Sequence, residues 1–315
     1  MNTTNWLPNV LKILVIAWFL SIVLSGCSTM SPRPQSSGDT LAAFEKSDLE
    51  PEEILGRADS FRGLGKTNDA LFYYAAYLEH DPKDSKVLNA IGGIHLEKGN
   101  LDLAQVALEM SLEVDPGSAS TLEALGLVLF QRGDHDRAKP LLETAAGKDR
   151  ERWRSENALG LMADHASRHD EAVVHFREAL KTVPSNDRVA NNLAYSLYLK
   201  GDVRGALMET DRILERNTKY EPAIMNRGLY LLKLGRAEEA LAAFRKVVSE
   251  SDAWNNLGYF SMQLGDFERA RGCFQRAIAL STHYHDLAHR NLDLLERKES
   301  SRERQDALLL SSAPY

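Results

Sequence analysis

The chain has 315 residues, of which 43% are apolar, and its formal net charge is −7. Residues 1–26 hold one charged side chain, Lys12, so the chain without them has a charge of −8. An acidic protein of this kind is a poor candidate for binding nucleic acid or for coating an anionic bilayer.

The amino-terminal residues have the layout of a secretory signal peptide. Lys12 precedes an apolar run at residues 13–24, which is shorter than the ~20 residues that span a bilayer. The run ends in Leu-Ser-Gly-Cys at residues 24–27, which resembles a bacterial lipobox. The resemblance implies that residues 1–26 are removed, that Cys27 is acylated, and that Ser28 directs the protein to the periplasmic face of the outer membrane. An uncleaved anchor with an incidental cysteine is the alternative.

The next segment, residues 27–50, is rich in serine, proline, threonine and glycine. Such a composition cannot bury enough apolar surface to offset the entropy of ordering. We expect a flexible tether that gives the following domain a reach of about 25 Å.

A pattern then recurs seven times at a spacing of 34 residues, which is broken once. Each copy has a small residue and, twelve positions later, an alanine; a glycine lies five positions before the alanine except in the fourth copy, which has Ser167. The small residues are Ala58, Gly92, Gly126, Gly160, Ala194, Gly228 and Gly258. Antiparallel helices approach closely where side chains are small, and glycine readily ends a helix. The pattern therefore predicts seven stacked helical hairpins.

These positions resemble the tetratricopeptide repeat, over residues 51–284. The resemblance implies an all-α, right-handed superhelical solenoid of about seven repeats, at 51–84, 85–118, 119–152, 153–186, 187–220, 221–250 and 251–284. The sixth repeat is four residues short, so we expect an irregular junction near residues 248–253.

A capping helix is predicted at residues 285–299, because Ala288, Leu292 and Leu295 follow helical spacing and the last repeat needs a cover. We expect the tail at residues 300–315 to be disordered, although its three consecutive leucines could instead dock on a partner.

No catalytic, metal or cofactor motif stands out. Gly65-Lys66-Thr67 matches the end of a phosphate-binding loop, but Ser60 replaces the required glycine and the segment falls between predicted helices. The histidine pairs His165/His169 and His285/His289 lack the companion ligands of a metal site. Cys273 is expected to pack as a small core residue. We read the protein as a non-enzyme; a metal hydrolase that uses His283, His285 and His289 remains an alternative.

The family resemblance implies that positions five, nine and twelve of each repeat line a concave groove, since these positions share one side of the first helix. Asparagines occupy position five in four repeats, where a side-chain amide can donate to and accept from a peptide backbone. The candidate groove residues are Asn89, Asn157, Asn191, Asn255, Leu127, Phe130, Leu161, Tyr195, Tyr198, Leu229, Leu232, Tyr259 and Met262. Alternatively, the asparagines are merely tolerated and the aromatic residues belong to the core.

A lipid-anchored protein built of such repeats is similar in layout to the TadD-type assembly lipoproteins of the tight-adherence (Flp) pilus. This resemblance implies a scaffold or chaperone that escorts a secretin to the outer membrane, with a protein or peptide as its partner. Because position five never carries lysine, the carboxylate clamp of chaperone-binding family members is absent. A scaffold for exopolysaccharide export or for peptidoglycan enzymes is the other interpretation.

Overall fold

The computed structural model describes residues 49–283 and 285–311, with side chains described as far as Ser301. All of the regular secondary structure in these residues is α-helical. The helices are α1 Pro51–Gly63, α2 Thr67–His80, α3 Ser85–Glu97, α4 Leu101–Val114, α5 Ala119–Gln131, α6 His135–Lys148, α7 Trp153–His165, α8 His169–Thr182, α9 Asp187–Lys200, α10 Val203–Arg216, α11 Glu221–Lys233, α12 Ala237–Phe244, α13 Glu250–Gln263, α14 Phe267–Leu280 and α15 Asp286–Ser311. The predicted all-α fold of paired helices is confirmed.

The chain divides after Ala145, within α6, into two compact units, which we call the N-unit and the C-unit. In both units each odd-numbered helix from α1 to α13 is followed by a short turn and a second helix. Six of these turns contain a glycine with positive φ, for example Gly201 at 98°. In the fourth turn, Ser167 takes the same left-handed region at a φ of 58°. A side chain is strained there, so the missing glycine carries an energetic cost.

The small residues on the first helices mark close crossings with the second helices. A Cβ atom added to Gly126 would lie 2.7 Å from Cδ2 of Leu142, and one added to Gly228 would lie 2.1 Å from Cε1 of Phe244. Both distances are shorter than real contacts allow. A large residue from the second helix fills the space over each glycine, which explains why the repeat needs a small residue at this point.

Each unit has its own apolar core. In the N-unit a cluster forms around Ile54, Tyr73, Tyr74, Ile91 and Ile94, all of which are buried. The C-unit has apolar clusters between successive helix pairs, and these clusters contain four fully buried aromatic rings. They are Phe176, Tyr230, Phe244 and Phe274. A hairpin thus buries its apolar face only with the help of its neighbours, as in other stacked repeats.

The four-residue deficit of the sixth repeat shortens its second helix. Helix α12 has 8 residues, whereas α10 and α14 have 14 each. The irregular segment occupies residues 245–249 and α13 begins at Glu250, so the segment overlaps the predicted junction at 248–253 and begins three residues earlier. Helix α12 ends at Phe244, which is fully buried and is the last residue of that helix in the core.

The carboxy-terminal helix is longer than predicted. Ala288 and Leu295 of α15 are fully buried, and Leu295 packs with Met262 and Phe274. Helix α15 continues to Ser311, so the expected disorder from residue 300 onward is wrong as far as Ser311. Residues 312–315 lie outside the described part, as do the side chains of the three leucines at 308–310.

The predicted signal peptide, Cys27 and the tether before residue 49 lie outside the described residues. Within the described part of the chain, no helix has both the length and the apolar character needed to cross a membrane.

Candidate functional site

The candidate groove residues lie on the first helices of the repeats. In the N-unit, Asn89 donates from Nδ2 to Oγ of Ser120 at 3.3 Å, and Phe130 stacks on His135 with ring centroids 5.4 Å apart. Leu127 is half-buried. The C-unit holds the other ten candidates, on α7, α9, α11 and α13. We therefore describe the site from the C-unit.

Asparagine side chains link successive first helices of the C-unit by hydrogen bonds. Nδ2 of Asn192 donates to Oδ1 of Asn157 at 3.0 Å, and Nδ2 of Asn226 donates to Oδ1 of Asn191 at 3.0 Å. We call these bonds the asparagine rungs. Each rung ties position five of one repeat to position six of the next, so both fix the register between neighbouring hairpins.

A third rung joins the last repeat to α15. Nδ2 of Asn291 donates to Oδ1 of Asn255 at 2.9 Å, and both residues are buried. Asn192, Asn226 and Asn291 were not among the predicted groove residues. The available signal was the tandem pairs Asn191-Asn192 and Asn255-Asn256, because adjacent amides on one helix can face both neighbouring helices.

The rungs use only part of the hydrogen-bonding capacity of the amides. A side-chain amide has two N–H donors and one acceptor oxygen. Within the described residues, Nδ2 of Asn157 and of Asn191 has no hydrogen-bond partner and is not sealed from solvent. These two donors are available to a ligand.

A tyrosine cluster adjoins the second rung. Tyr195 and Tyr198 on α9 have ring centroids 6.0 Å apart, and Tyr198 stacks on Tyr230 of α11 at 5.2 Å. Tyr195 is 41% exposed, whereas Tyr230 is fully buried. We call these three residues the tyrosine cluster. The cluster exposes the ring of Tyr195 at the surface, and the phenol of Tyr230 lies buried behind Tyr198.

The hydroxyl of Tyr230 is buried and has no hydrogen-bond partner among the described residues. Burial raises the pKa of Tyr230 far above its usual value, and the neighbouring tyrosines add to the increase. Burial likewise raises the pKa of Tyr198. Both groups therefore stay neutral at any physiological pH and act as phenols.

Four candidate groove residues belong to the core rather than to an open surface. Leu229 packs into the cluster around Phe176, and Leu232 lies in the cluster that contains Phe244. Met262 is covered by α15, and Asn255 is only 2% exposed. The spacing within one repeat predicts that these side chains are exposed. In each case a neighbouring helix covers them. Leu161 is half-buried, and Tyr259 remains 39% exposed.

The first-helix face of the C-unit is almost free of charge. We use this name for the side chains at positions five, nine and twelve of α7, α9, α11 and α13. Asp164 is the single charged member of this set. Its carboxylate accepts from Ser196 and lies 2.9 Å from Nδ1 of His169. The one negative charge is thus already engaged within the fold.

The remaining candidates for chemistry are used locally. Nδ1 of His285 accepts from the backbone N–H of Ala288 at 3.4 Å, and Nδ1 of His289 lies 3.0 Å from the carbonyl of His285. In the described part of the chain, no group of three histidine, cysteine or acidic side chains has the arrangement of a metal site. Gly65 and Lys66 lie in the turn between α1 and α2, and Thr67 is the first residue of α2.

Cys273 is a buried core residue on α14. Its side chain packs in the cluster with Leu257 and Phe244, and burial raises its thiol pKa to about 11. A thiol with such a pKa is protonated at neutral pH, so it is a poor nucleophile.

These features define a helical-repeat protein whose first helices carry partly exposed amides and aromatic rings. Models of the tetratricopeptide repeat match residues 55–119, 123–187, 221–251 and 251–284, which is more than half of the chain. The chain belongs to the tetratricopeptide repeat family. Proteins of this family are interaction scaffolds that bind protein or peptide partners.

Individual relatives match this chain either over a short segment or at low sequence identity. Tetratricopeptide repeat protein 36 of Xenopus tropicalis is 33% identical over 79 residues, which is 24% of this chain and 39% of that protein. The match thus spans well under half the length of this relative.

Two solved structures share the fold. A tetratricopeptide repeat protein of Parabacteroides merdae gives a TM-score of 0.55 at 16% identity, over 78% of this chain and 98% of that one. The pilF protein of Pseudomonas aeruginosa gives a TM-score of 0.51 at 19% identity, over 68% of this chain and 97% of that one. At these identities the similarity shows the fold alone.

Proposed function

We propose that this protein is a lipid-anchored scaffold whose first-helix face in the C-unit binds an extended segment of a protein partner. The observation that carries the proposal is the row of unused amide donors on Asn157 and Asn191 beside the exposed ring of Tyr195. An extended backbone has regularly spaced carbonyls that such donors can recognise.

The physical argument combines hydrogen bonds with aromatic anchors. Buried aromatic residues account for most of the binding energy in many interfaces, and amides set the direction and register of a bound strand. Tyr195 and Tyr259 are the exposed rings on α9 and α13. Truncation of either ring would remove an anchor without opening the core, because both rings stand on the surface.

We further propose that the acyl chains on Cys27 hold the scaffold at the periplasmic face of the outer membrane. The support is the Leu-Ser-Gly-Cys sequence at residues 24–27. Two acyl chains bind membranes stably and one binds only marginally, so a triacylated cysteine would be a lasting anchor. The partner in this proposal is a secretin subunit of a Flp or type IV-like pilus, which the scaffold escorts and helps to assemble.

The anchor can be tested by metabolic labelling with a fatty acid. We expect the wild-type protein to be labelled and membrane-bound. Cys27→Ala should lose the label and appear in the soluble fraction, because the thiol is the site of acylation. Persistent labelling of Cys27→Ala would contradict the lipid anchor.

The partner can be tested by capture from membranes of the native cell, followed by mass spectrometry. We expect a secretin to be enriched with the wild-type protein and lost with the double variant Tyr195→Ala/Tyr259→Ala. Val174→Ala is the matched control, since Val174 is 64% exposed but lies on the second helix α8. Enrichment of glycan-export or peptidoglycan enzymes without a secretin would refute the pilus assignment.

A further inference from the structure

A buried hydroxyl without a partner lies next to the exposed part of the candidate groove. Tyr230 is fully buried, its hydroxyl makes no hydrogen bond within the described residues, and its ring stacks on Tyr198. Burying a polar group without a hydrogen bond is costly, and native folds rarely leave one unpaired. An unpaired group beside an exposed surface suggests that binding supplies the missing partner.

Positions five, nine and twelve of the first helices around this hydroxyl are nearly uncharged. Tyr195 and Leu199 are exposed one helical turn apart on α9, at 41% and 37%. Among the position-five, -nine and -twelve side chains of the C-unit, only Asp164 is charged, and its carboxylate is occupied by Ser196 and His169. A charged ligand would lose hydration here without gaining an ion pair from this set.

We propose that the tyrosine cluster is an anchor subsite that selects an uncharged segment of the partner. An aromatic or aliphatic side chain of that segment packs on Tyr195 and Leu199. The Tyr198 ring turns aside on binding, and the hydroxyl of Tyr230 then donates a hydrogen bond to a backbone carbonyl of the segment. This inference rests on the proposed function and adds to it the chemistry of the partner.

The selectivity can be tested with the full-length chain and a display library of random peptides. We expect the selected peptides to lack charged residues and to carry an aromatic or aliphatic residue. Their affinity should change by less than about threefold between about 50 and 500 mM NaCl, because salt screens only charged contacts. Selected peptides with charge clusters and a steep salt dependence would overturn the inference.

The role of the hydroxyl can be tested with one selected peptide and Tyr230→Phe. This variant should melt at a higher temperature because it removes an unpaired buried group. It should also bind the peptide about five- to tenfold more weakly, because one hydrogen bond is lost. Ser261→Ala is the control: Ser261 also has a buried hydroxyl without a partner, but it lies on α13 outside the cluster. Equal affinities of wild type and Tyr230→Phe would overturn the inference.

The same experiment separates the two proposals. Peptides that lose binding on Tyr195→Ala/Tyr259→Ala but carry charges would leave the groove in place and refute its selectivity. If no peptide is selected, or if all selected peptides bind that variant as well as wild type, the groove itself is refuted.

Discussion

At the scale of single residues, the turn of the fourth repeat departs from the other six. Ser167 has a φ of 58°, a region in which a side chain is strained, whereas the corresponding turns use glycine. The same region of the fold holds the contacts of Asp164 with His169 and Ser196. These contacts join the end of α7 to α8 and α9 next to the turn.

Ser167→Gly should therefore raise the free energy of unfolding by about 0.5–1 kcal/mol, since the relief of strain exceeds the added freedom of the unfolded chain. Denaturant melts at neutral pH measure the change. Gly201→Ser is the matched control in the same unit, because Gly201 has a φ of 98°, and it should lose about 1 kcal/mol. If Ser167→Gly lowered the free energy of unfolding, the backbone at Ser167 would not be strained.

A second residue-scale prediction concerns alkaline pH. Burial, together with a 2.5 Å hydrogen bond to Asp59, raises the pKa of Tyr74 to about 12. An unfolded tyrosine has a pKa of about 10. Between these values the unfolded chain loses a proton that the folded chain keeps. The stability contributed by Tyr74 is thus complete below about pH 10 and is lost as the pH rises toward 12, by about 1.4 kcal/mol per unit.

Tyr74→Phe should remove this part of the pH dependence. We expect the variant to be less stable at about pH 8, because the bond to Asp59 is lost, and to show a shallower decline above about pH 10. Denaturant melts across this range test the prediction, with circular dichroism at the lowest pH as the check that the variant folds. If the free energy of unfolding falls equally with pH in both proteins, Tyr74 does not contribute to the pH dependence.

At the scale of helices, the crossings explain the repeat. Gly228 lies under the ring of Phe244, and an added Cβ would stand 2.1 Å from Cε1 and 2.2 Å from Cζ of that ring. Because α12 has only 8 residues, few other contacts can absorb a shift of Phe244. This crossing should be the least tolerant of added volume in the C-unit.

Gly228→Ala should lower the free energy of unfolding by about 1–3 kcal/mol, the usual cost of overpacking. Gly272→Ala is the control, because Gly272 lies exposed on α14 with nothing within 4 Å of an added Cβ. Removing glycine from a helix interior should stabilise by about 0.5–1 kcal/mol. An unchanged stability of Gly228→Ala, measured by thermal and denaturant melts, would mean that the crossing is not tight.

The helical elements could be predicted because small residues and glycine turns are local requirements. Ser85 and Trp153, for example, open helices as the spacing indicates. The candidate site was harder, because spacing within one repeat does not show how the next helix covers it. Leu232 and Met262 share the helical face of Tyr198 by register, yet the following repeat and α15 bury them. The asparagine rungs were missed for the same reason, since they join different repeats.

At the scale of the whole molecule, the chain combines a predicted membrane anchor with a domain built for contact with other proteins. Its net charge of −7 disfavours nucleic acid, whereas the first-helix face of the C-unit is nearly neutral. In our proposal, recognition therefore rests on amides and aromatic rings rather than on charge. We propose that the partner binds at this face.

Site-specific photocross-linking in the native cell is the sharpest test of binding at the first-helix face of the C-unit. A photoreactive amino acid would replace Tyr195 or Tyr259 on the first helices, or Val174 on α8, all of which are exposed. We predict a cross-linked partner at positions 195 and 259 and none at position 174. Cross-linking of equal strength at position 174, or no cross-linking at either tyrosine position, would show that the partner does not bind at this face.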